Sequence, residues 1–348
     1  MVGCYSGKPA PGWSTRWFMS TAASSEASGL VHAYLLDGRG GCAHLDWDGV
    51  ARWTPADGTL WLNLDYAAPD VQRWLAEGSN IDGLSRDALL DDDPRPRAAP
   101  HGDALLLLIR AINLNEGAAP EDMLSIRAWI EPRRMVTMRH RRSRSIKAIA
   151  AELDRGRGPT SVAEMTASLI ERVLEYVATR VDTLGDAIAA CEDQVLTETR
   201  GELRSQLADH RRRAIALRRF LAPQREAFAK LAQVQLPWLD ATARARILES
   251  ADRMTRTVEE LDAARDRAAV TQEELQSKIA EATNQRLYVL AVITAVFLPL
   301  GFVCSLLGVN VGGVPLQHED WAFWALCGLF GVAVAIQIWF FRRRGWFG

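Results

Sequence analysis

Asn284-Gln-Arg-Leu-Tyr-Val-Leu-Ala-Val-Ile-Thr-Ala-Val-Phe-Leu-Pro-Leu-Gly-Phe-Val-Cys-Ser-Leu-Leu-Gly-Val-Asn310 is the stretch that decides how this chain is built. From Leu287 to Leu307 it carries no charge, and the same holds from Trp321 to Phe341. Each run has the roughly 20 residues needed to cross a hydrocarbon core about 30 Å thick. The linker between them, Gly308 to Asp320, is too short to fold by itself, so the two runs predict a helical hairpin whose ends share one side of a membrane. Arg286 precedes the first run and Arg342-Arg343-Arg344 follow the second, while the linker holds Glu319 and Asp320 but no Lys or Arg. The positive-inside rule therefore puts both termini in the cytoplasm, and Trp321, Trp324, Trp339 and Trp346 stand near the span ends as interfacial anchors. The expected setting is an integral membrane protein of a bacterial-type inner membrane.

Upstream, no proline or glycine occurs between Asp240 and Pro299. One helix of about 60 residues, roughly 90 Å at 1.5 Å per residue, is predicted there. Its apolar positions Ile247, Met254, Leu261, Val270, Leu275 and Ile279 make a stripe that packs against other helices or copies of itself, as in a stalk. Glu259, Glu260 and Asp262 read as a solvated face, with a regulatory cation between copies as the alternative. Helical periodicity starts near Ser161, as in Leu169, Val173, Val177, Val181 and Leu184, with Pro223 and Pro237 as the expected breaks. Before it, strand candidates at 61–65, 104–112 and 123–130, a helical Asp70–Leu75 and an acidic turn at Asp91–Pro94 indicate an α/β domain. The expected organisation is a disordered tail at 1–29, a cytoplasmic α/β domain at 30–155 and a helical region with the stalk at 156–286. Then follow spans at 287–307 and 321–341, the external loop 308–320 between them, and a basic cytoplasmic end at 342–348.

Several functions are disfavoured by the residues. A formal charge of -2 argues against nucleic acid as a partner. Cys4, Cys42, Cys191, Cys304 and Cys327 never stand at CxxC spacing, so neither a disulfide framework nor a structural zinc site is expected, and no bound cofactor is indicated. Residues 1–29 lack the apolar core of a secretory signal. The chain shows no phosphate-binding glycine loop, nucleophile elbow or HExxH helix, so it does not read as an enzyme.

At 100° per residue, Asn284, Leu287, Ala291, Thr294, Leu298, Gly301, Ser305 and Gly308 fall near one face of the first span. Two readings of that face stay open. It lines a water-filled path, which two helices cannot enclose and several copies would have to form. Alternatively Gly301, Ser305 and Gly308 serve close helix packing of the small-xxx-small kind.

Gly308-Val309-Asn310 at the end of this helix, the Phe297-Leu298-Pro299-Leu300 step inside it, the acidic linker and the last span with its basic tail resemble the CorA superfamily of divalent-cation transporters. The order of parts along nearly the whole chain is similar too. Val311-Gly312-Gly313-Val314-Pro315 after the motif looks like the ZntB zinc-transporter branch rather than the magnesium channels, whose Met-Pro-Glu-Leu segment is absent. The resemblance implies a homopentameric funnel, a pore lined by the first span, and passage of Zn2+ and other divalent cations with proton coupling. In that setting Asn310 would offer a ring of carboxamides to the water shell of a hydrated ion, an outer-sphere contact, with Gly308 and Val309 completing the selectivity motif. Leu287, Leu290 and Leu298 would form apolar constrictions with the Thr294 hydroxyl between them, Gly301 would also line the path, and Asn284 would form a polar ring at the cytoplasmic end. His318, Glu319 and Asp320 would draw cations to the outer mouth. A CorA-type magnesium or cobalt channel and a non-conducting oligomeric sensor or scaffold are the alternatives.

Overall fold

The computed structural model describes residues 28–119, 121–197, 201–309, 319 and 321–343. It divides into two compact units that meet in sequence between Gln272 and Glu273.

The first unit holds a seven-stranded mixed sheet made of β1 (Leu30–Leu36), β2 (Cys42–His44), β3 (Thr59–Asp65), β4 (Arg97–His101), β5 (Ala104–Ala111), β6 (Leu124–Glu131) and β7 (Arg134–Arg139). Their spatial order is β2-β1-β3-β7-β6-β5-β4, and only β3 and β7 run parallel. The expected strands at 61–65, 104–112 and 123–130 fall in β3, β5 and β6. Every residue of β5 is buried, because both faces of the sheet are covered. Ala104, Leu106 and Leu108 join the core that also holds Val71 and Leu75 of α2 (Pro69–Glu77) and Leu89 of α3 (Gly83–Leu90). The alternate residues Leu105, Leu107 and Ile109 lie under the helices of the opposite face, α5 (Val162–Thr197) and α6 (Gly201–Gln233). Short helices α1 (Trp47–Arg52) and α4 (Arg144–Asp154) also belong to the unit.

The structure departs from the sequence expectations at residues 28–29, at Pro223 and, in the long helix, at Val270. The ordered fold starts within the expected tail: Ser28 Oγ accepts a hydrogen bond from the Trp47 indole at 3.1 Å and the Gly29 carbonyl accepts from the Asp65 amide at 2.8 Å. Gly29 has φ 78°, and a side chain there would strike Ala68. Residues 1–27 of that tail lie outside the described residues. Pro223 does not break a helix, since α6 continues through it. A proline in a helix interior costs about 3 kcal/mol, and the buried neighbours Leu221, Gln224, Ala227 and Phe228 hold the helix against that cost. The Gln224 side chain also accepts from the Arg110 amide of β5 at 2.6 Å.

Pro237 does fall in a break, between α6 and α7 (Ala241–Leu307). Asp240 caps α7 by accepting from the Ala243 amide at 2.8 Å. Within the first unit, Ile247, Met254 and Leu261 of α7 are buried, but Val270 is 65% exposed. Seven residues after Leu261 comes Ala268, which is buried instead, and small buried residues Ser250, Thr257, Ala264 and Thr271 alternate with this row. Arg246 ties α7 to α5 through Glu171 Oε1 and Oε2 at 2.8 and 2.6 Å, and Arg218 of α6 reaches Asp262 at 2.5 Å. Asp262 is thus held by Arg218 and also by Arg265, which argues against its use as a cation ligand, while Glu259 and Glu260 are exposed.

The second unit contains the rest of α7 and α8 (Ala322–Arg343). Both helices are long and apolar enough to cross a membrane, and none of either apolar window is buried in the chain. That separates them from core helices of a soluble protein.

Candidate functional site

The candidate site is the face of α7 between Asn284 and Gly308. All six residues expected to line a path, Asn284, Leu287, Leu290, Thr294, Leu298 and Gly301, are exposed in the single chain. The half-buried residues of the same helix segment are Val292, Ala295, Val296, Leu300 and Val303. On a helical wheel the two sets centre about 160° apart. The half-buried set is matched on α8 by Leu326, Phe330, Val334 and Gln337, and a cross-helix hydrogen bond joins Gln337 Nε2 to the Ala295 carbonyl at 3.5 Å. One side of α7 therefore packs on α8, and the candidate face points the other way.

Pro299 explains that bond. Lacking an N–H, it cannot donate to the carbonyl four residues back, which is Ala295. In hydrocarbon a freed carbonyl has no water to turn to, and helices containing proline recruit side chains from neighbours. Gln337 supplies the missing donor, and α7 continues through Pro299 as far as Leu307.

Around the face, the Thr294 hydroxyl donates back to the Leu290 carbonyl at 2.9 Å, leaving its lone pairs outward. A Cβ added to Gly301 would meet nothing within 4 Å, so packing inside the chain does not require glycine there. At Gly308 it would lie 3.3 Å from the Cys304 carbonyl, and the Gly308 amide adds one more hydrogen bond, 3.0 Å to that same oxygen. Val309 is exposed, whereas Asn310, His318 and Asp320 lie outside the described residues, as do Gly312-Gly313 and the tail from Arg344. Glu319 accepts from the Trp321 indole at 3.2 Å, and its carbonyl accepts from the Ala322 amide at the start of α8. At the other end of α8, Arg343 lies over the Trp339 ring at 5.3 Å, a pairing suited to the interface.

A second group of reactive side chains lies in the first unit. Cys42 and His44 of β2 meet Asp154 at the end of α4, with one ligand-type atom of each within 4.8 Å of the others. Burial, with the Asp154 and Asp37 carboxylates adding to it, pushes the Cys42 thiol up to about 12, and burial likewise raises the Tyr34 hydroxyl. In the sequence these residues show no metal-ligand spacing. Cys42-Ala43-His44 was the available signal, and Asp154 is supplied by the fold.

Comparison with known proteins agrees with the architecture. A family described as CorA-like Mg2+ transporter protein matches residues 56–343. The divalent cation transporter CmaX of Pseudomonas aeruginosa is 36% identical over 332 residues, covering 94% of this chain and 100% of that one. The zinc transport protein ZntB of Yersinia enterocolitica is 34% identical over 321 residues, covering 92% and 97%. The solved structure of full-length CmaX superposes with a TM-score of 0.80 at 35% identity, over 91% of this chain and 98% of the other. With an α/β unit, one long helix and two exposed apolar helices in that order, the chain belongs to the CorA family of membrane metal-ion transporters.

Proposed function

We propose that the protein carries divalent metal ions, zinc foremost, across a membrane through a homopentameric pore lined by α7. The observation that carries this reading is the face Asn284, Leu287, Leu290, Thr294, Leu298 and Gly301, exposed and turned away from α8. Two helices alone cannot shield a polar path from lipid, so that face acquires its function only when copies assemble around an axis. The similarity to CmaX and ZntB supports divalent cations as cargo.

In the assembled pore the Leu287, Leu290 and Leu298 rings form dry constrictions that open by motion. Asn310 selects at the outer end through neutral oxygens that accept from the ion's water shell, because a ring of carboxylates would bind a divalent ion too tightly to release it. His318, Glu319 and Asp320 raise the cation concentration at that mouth. The arginines flanking the spans favour cytoplasmic termini. With the inside negative, a divalent ion moving inward gains about 4.6 kcal/mol per 100 mV, at about 2.3 kcal/mol per charge. Uptake is then downhill on voltage alone, and proton coupling is an additional driving force that a pH gradient tests.

Zinc is preferred over magnesium because Val311-Gly312-Gly313-Val314-Pro315 follows the motif, and because the ZntB relative is named for zinc. Purified protein in liposomes loaded with a zinc-sensitive dye tests the proposal, beside Asn310→Ala and with magnesium in competition. Zinc entry that the variant loses supports it. Magnesium-selective entry driven by voltage alone supports the channel reading, and no flux through intact oligomers overturns both.

A further inference from the structure

We propose that Cys42, His44 and Asp154 form a zinc-binding site at the sheet edge of the first unit, with water as the fourth ligand. Side chains two apart on a strand share a face, so Cys42 and His44 project together from β2, the last strand on its side of the sheet. Asp154 comes from a different element, and its placement is fixed by backbone contacts. The Gly158 amide in the loop after α4 donates to the Gly40 carbonyl at 2.8 Å. A Cβ on Gly40, whose φ is 99°, would lie 3.1 Å from the carbonyl oxygens of both Gly156 and Gly158. The β1–β2 turn is thus seated against that loop, which holds the end of α4 beside the edge strand. Asp37 shapes the same turn by accepting from the Arg39 and Gly41 amides at 2.7 and 2.8 Å.

Within the cluster, His44 Nε2 and Asp154 Oδ1 are 3.1 Å apart, and Tyr34 donates to Asp154 Oδ2 at 3.5 Å. The Tyr34 ring also packs on the imidazole with centroids 4.6 Å apart. One residue therefore steadies two of the three ligands, as outer-shell partners do in metal sites. Zn–S of about 2.3 Å and Zn–N or Zn–O of about 2.0–2.1 Å in a tetrahedron put ligand atoms about 3.3–3.6 Å apart. Ligand atoms that all lie within 4.8 Å of one another reach that spacing by small side-chain rotations. A thiol and an imidazole suit zinc and are poor ligands for magnesium, which takes oxygen. Three protein ligands, with His44 and Asp154 exposed, leave an open and exchangeable position, unlike the closed four-ligand sites of structural zinc. As a surface ion pair alone, His44 and Asp154 would contribute little to stability.

Cobalt titration of the full-length protein in detergent, without thiol reductant, tests the site. The expected result is a thiolate-to-cobalt charge-transfer band that saturates at one equivalent per chain and is bleached by zinc. Cys42→Ser should abolish the band, and Tyr34→Phe should weaken affinity by about 10–100-fold, while His44→Asn and Asp154→Asn weaken it further. Gel filtration and circular dichroism identify any variant that fails to fold. Asn310→Ala should keep the band, so this test stands apart from the transport reading. No band in the folded protein, or a band that survives Cys42→Ser, overturns the proposal.

Discussion

Replacing Gln337 by Leu removes the donor that reaches the Ala295 carbonyl freed by Pro299. A single-variant stability change would be ambiguous, because two terms oppose. The lost bond, at 3.5 Å, is long for an N–H···O contact, so it is worth no more than the average helix–helix hydrogen bond in membranes, about 0.6 kcal/mol. Against it, Gln337 Oε1 is buried with no partner among the described residues, and removing an unsatisfied acceptor returns about 1–3 kcal/mol. Gln337→Leu alone is therefore expected to be near neutral or mildly stabilising. The decisive quantity is its coupling to Pro299→Ala, which restores the helix's own donor at the same carbonyl. The double-mutant cycle should give an interaction energy of about 0.6 kcal/mol, read from reversible unfolding in mixed micelles by circular dichroism. A coupling below about 0.3 kcal/mol would refute the claim that Gln337 compensates for the proline.

On the seam of α7, Leu261→Ala should destabilise the first unit by about 2–5 kcal/mol, while Val270→Ala should change it by less than about 0.5 kcal/mol. Chemical denaturation of both variants checks this, and equal effects would reject the register with Ala268 inside. Pro223→Ala should raise stability by up to about 3 kcal/mol, because α6 already runs through the position; a lower unfolding midpoint would show that the proline is needed.

The membrane spans are legible because uncharged runs of that length have few other uses, β5 because Ala104 to Ile109 is a continuous apolar run, and β6 because Leu124, Ile126 and Ala128 alternate with Ser125 and Arg127 before Trp129-Ile130. Strand β2, only Cys42-Ala43-His44, and β4, with Pro100 inside it, carry no such signal, since edge strands need neither a buried face nor a full ladder. Val270 was misplaced because its β-branched side chain looks like a core residue, whereas the seven-residue step from Leu261 falls on Ala268. In the candidate site, the α7 face could be drawn from 100° steps, but which side α8 covers could not. The Gln337 contact and the Cys42, His44 and Asp154 cluster join residues far apart in sequence, with His44 and Asp154 separated by 110 positions. No local pattern encodes such meetings.

The proposed ion path runs along the face of α7 opposite α8. In a cysteine-free background, single variants Thr294→Cys and Leu298→Cys on that face, and Val292→Cys and Val296→Cys on the α8 side, would be reconstituted and assayed for zinc flux before and after a membrane-impermeant methanethiosulfonate reagent. Block at 294 and 298 with none at 292 and 296 is the predicted result. Equal block on both sides, or block only at 292 and 296, would contradict it.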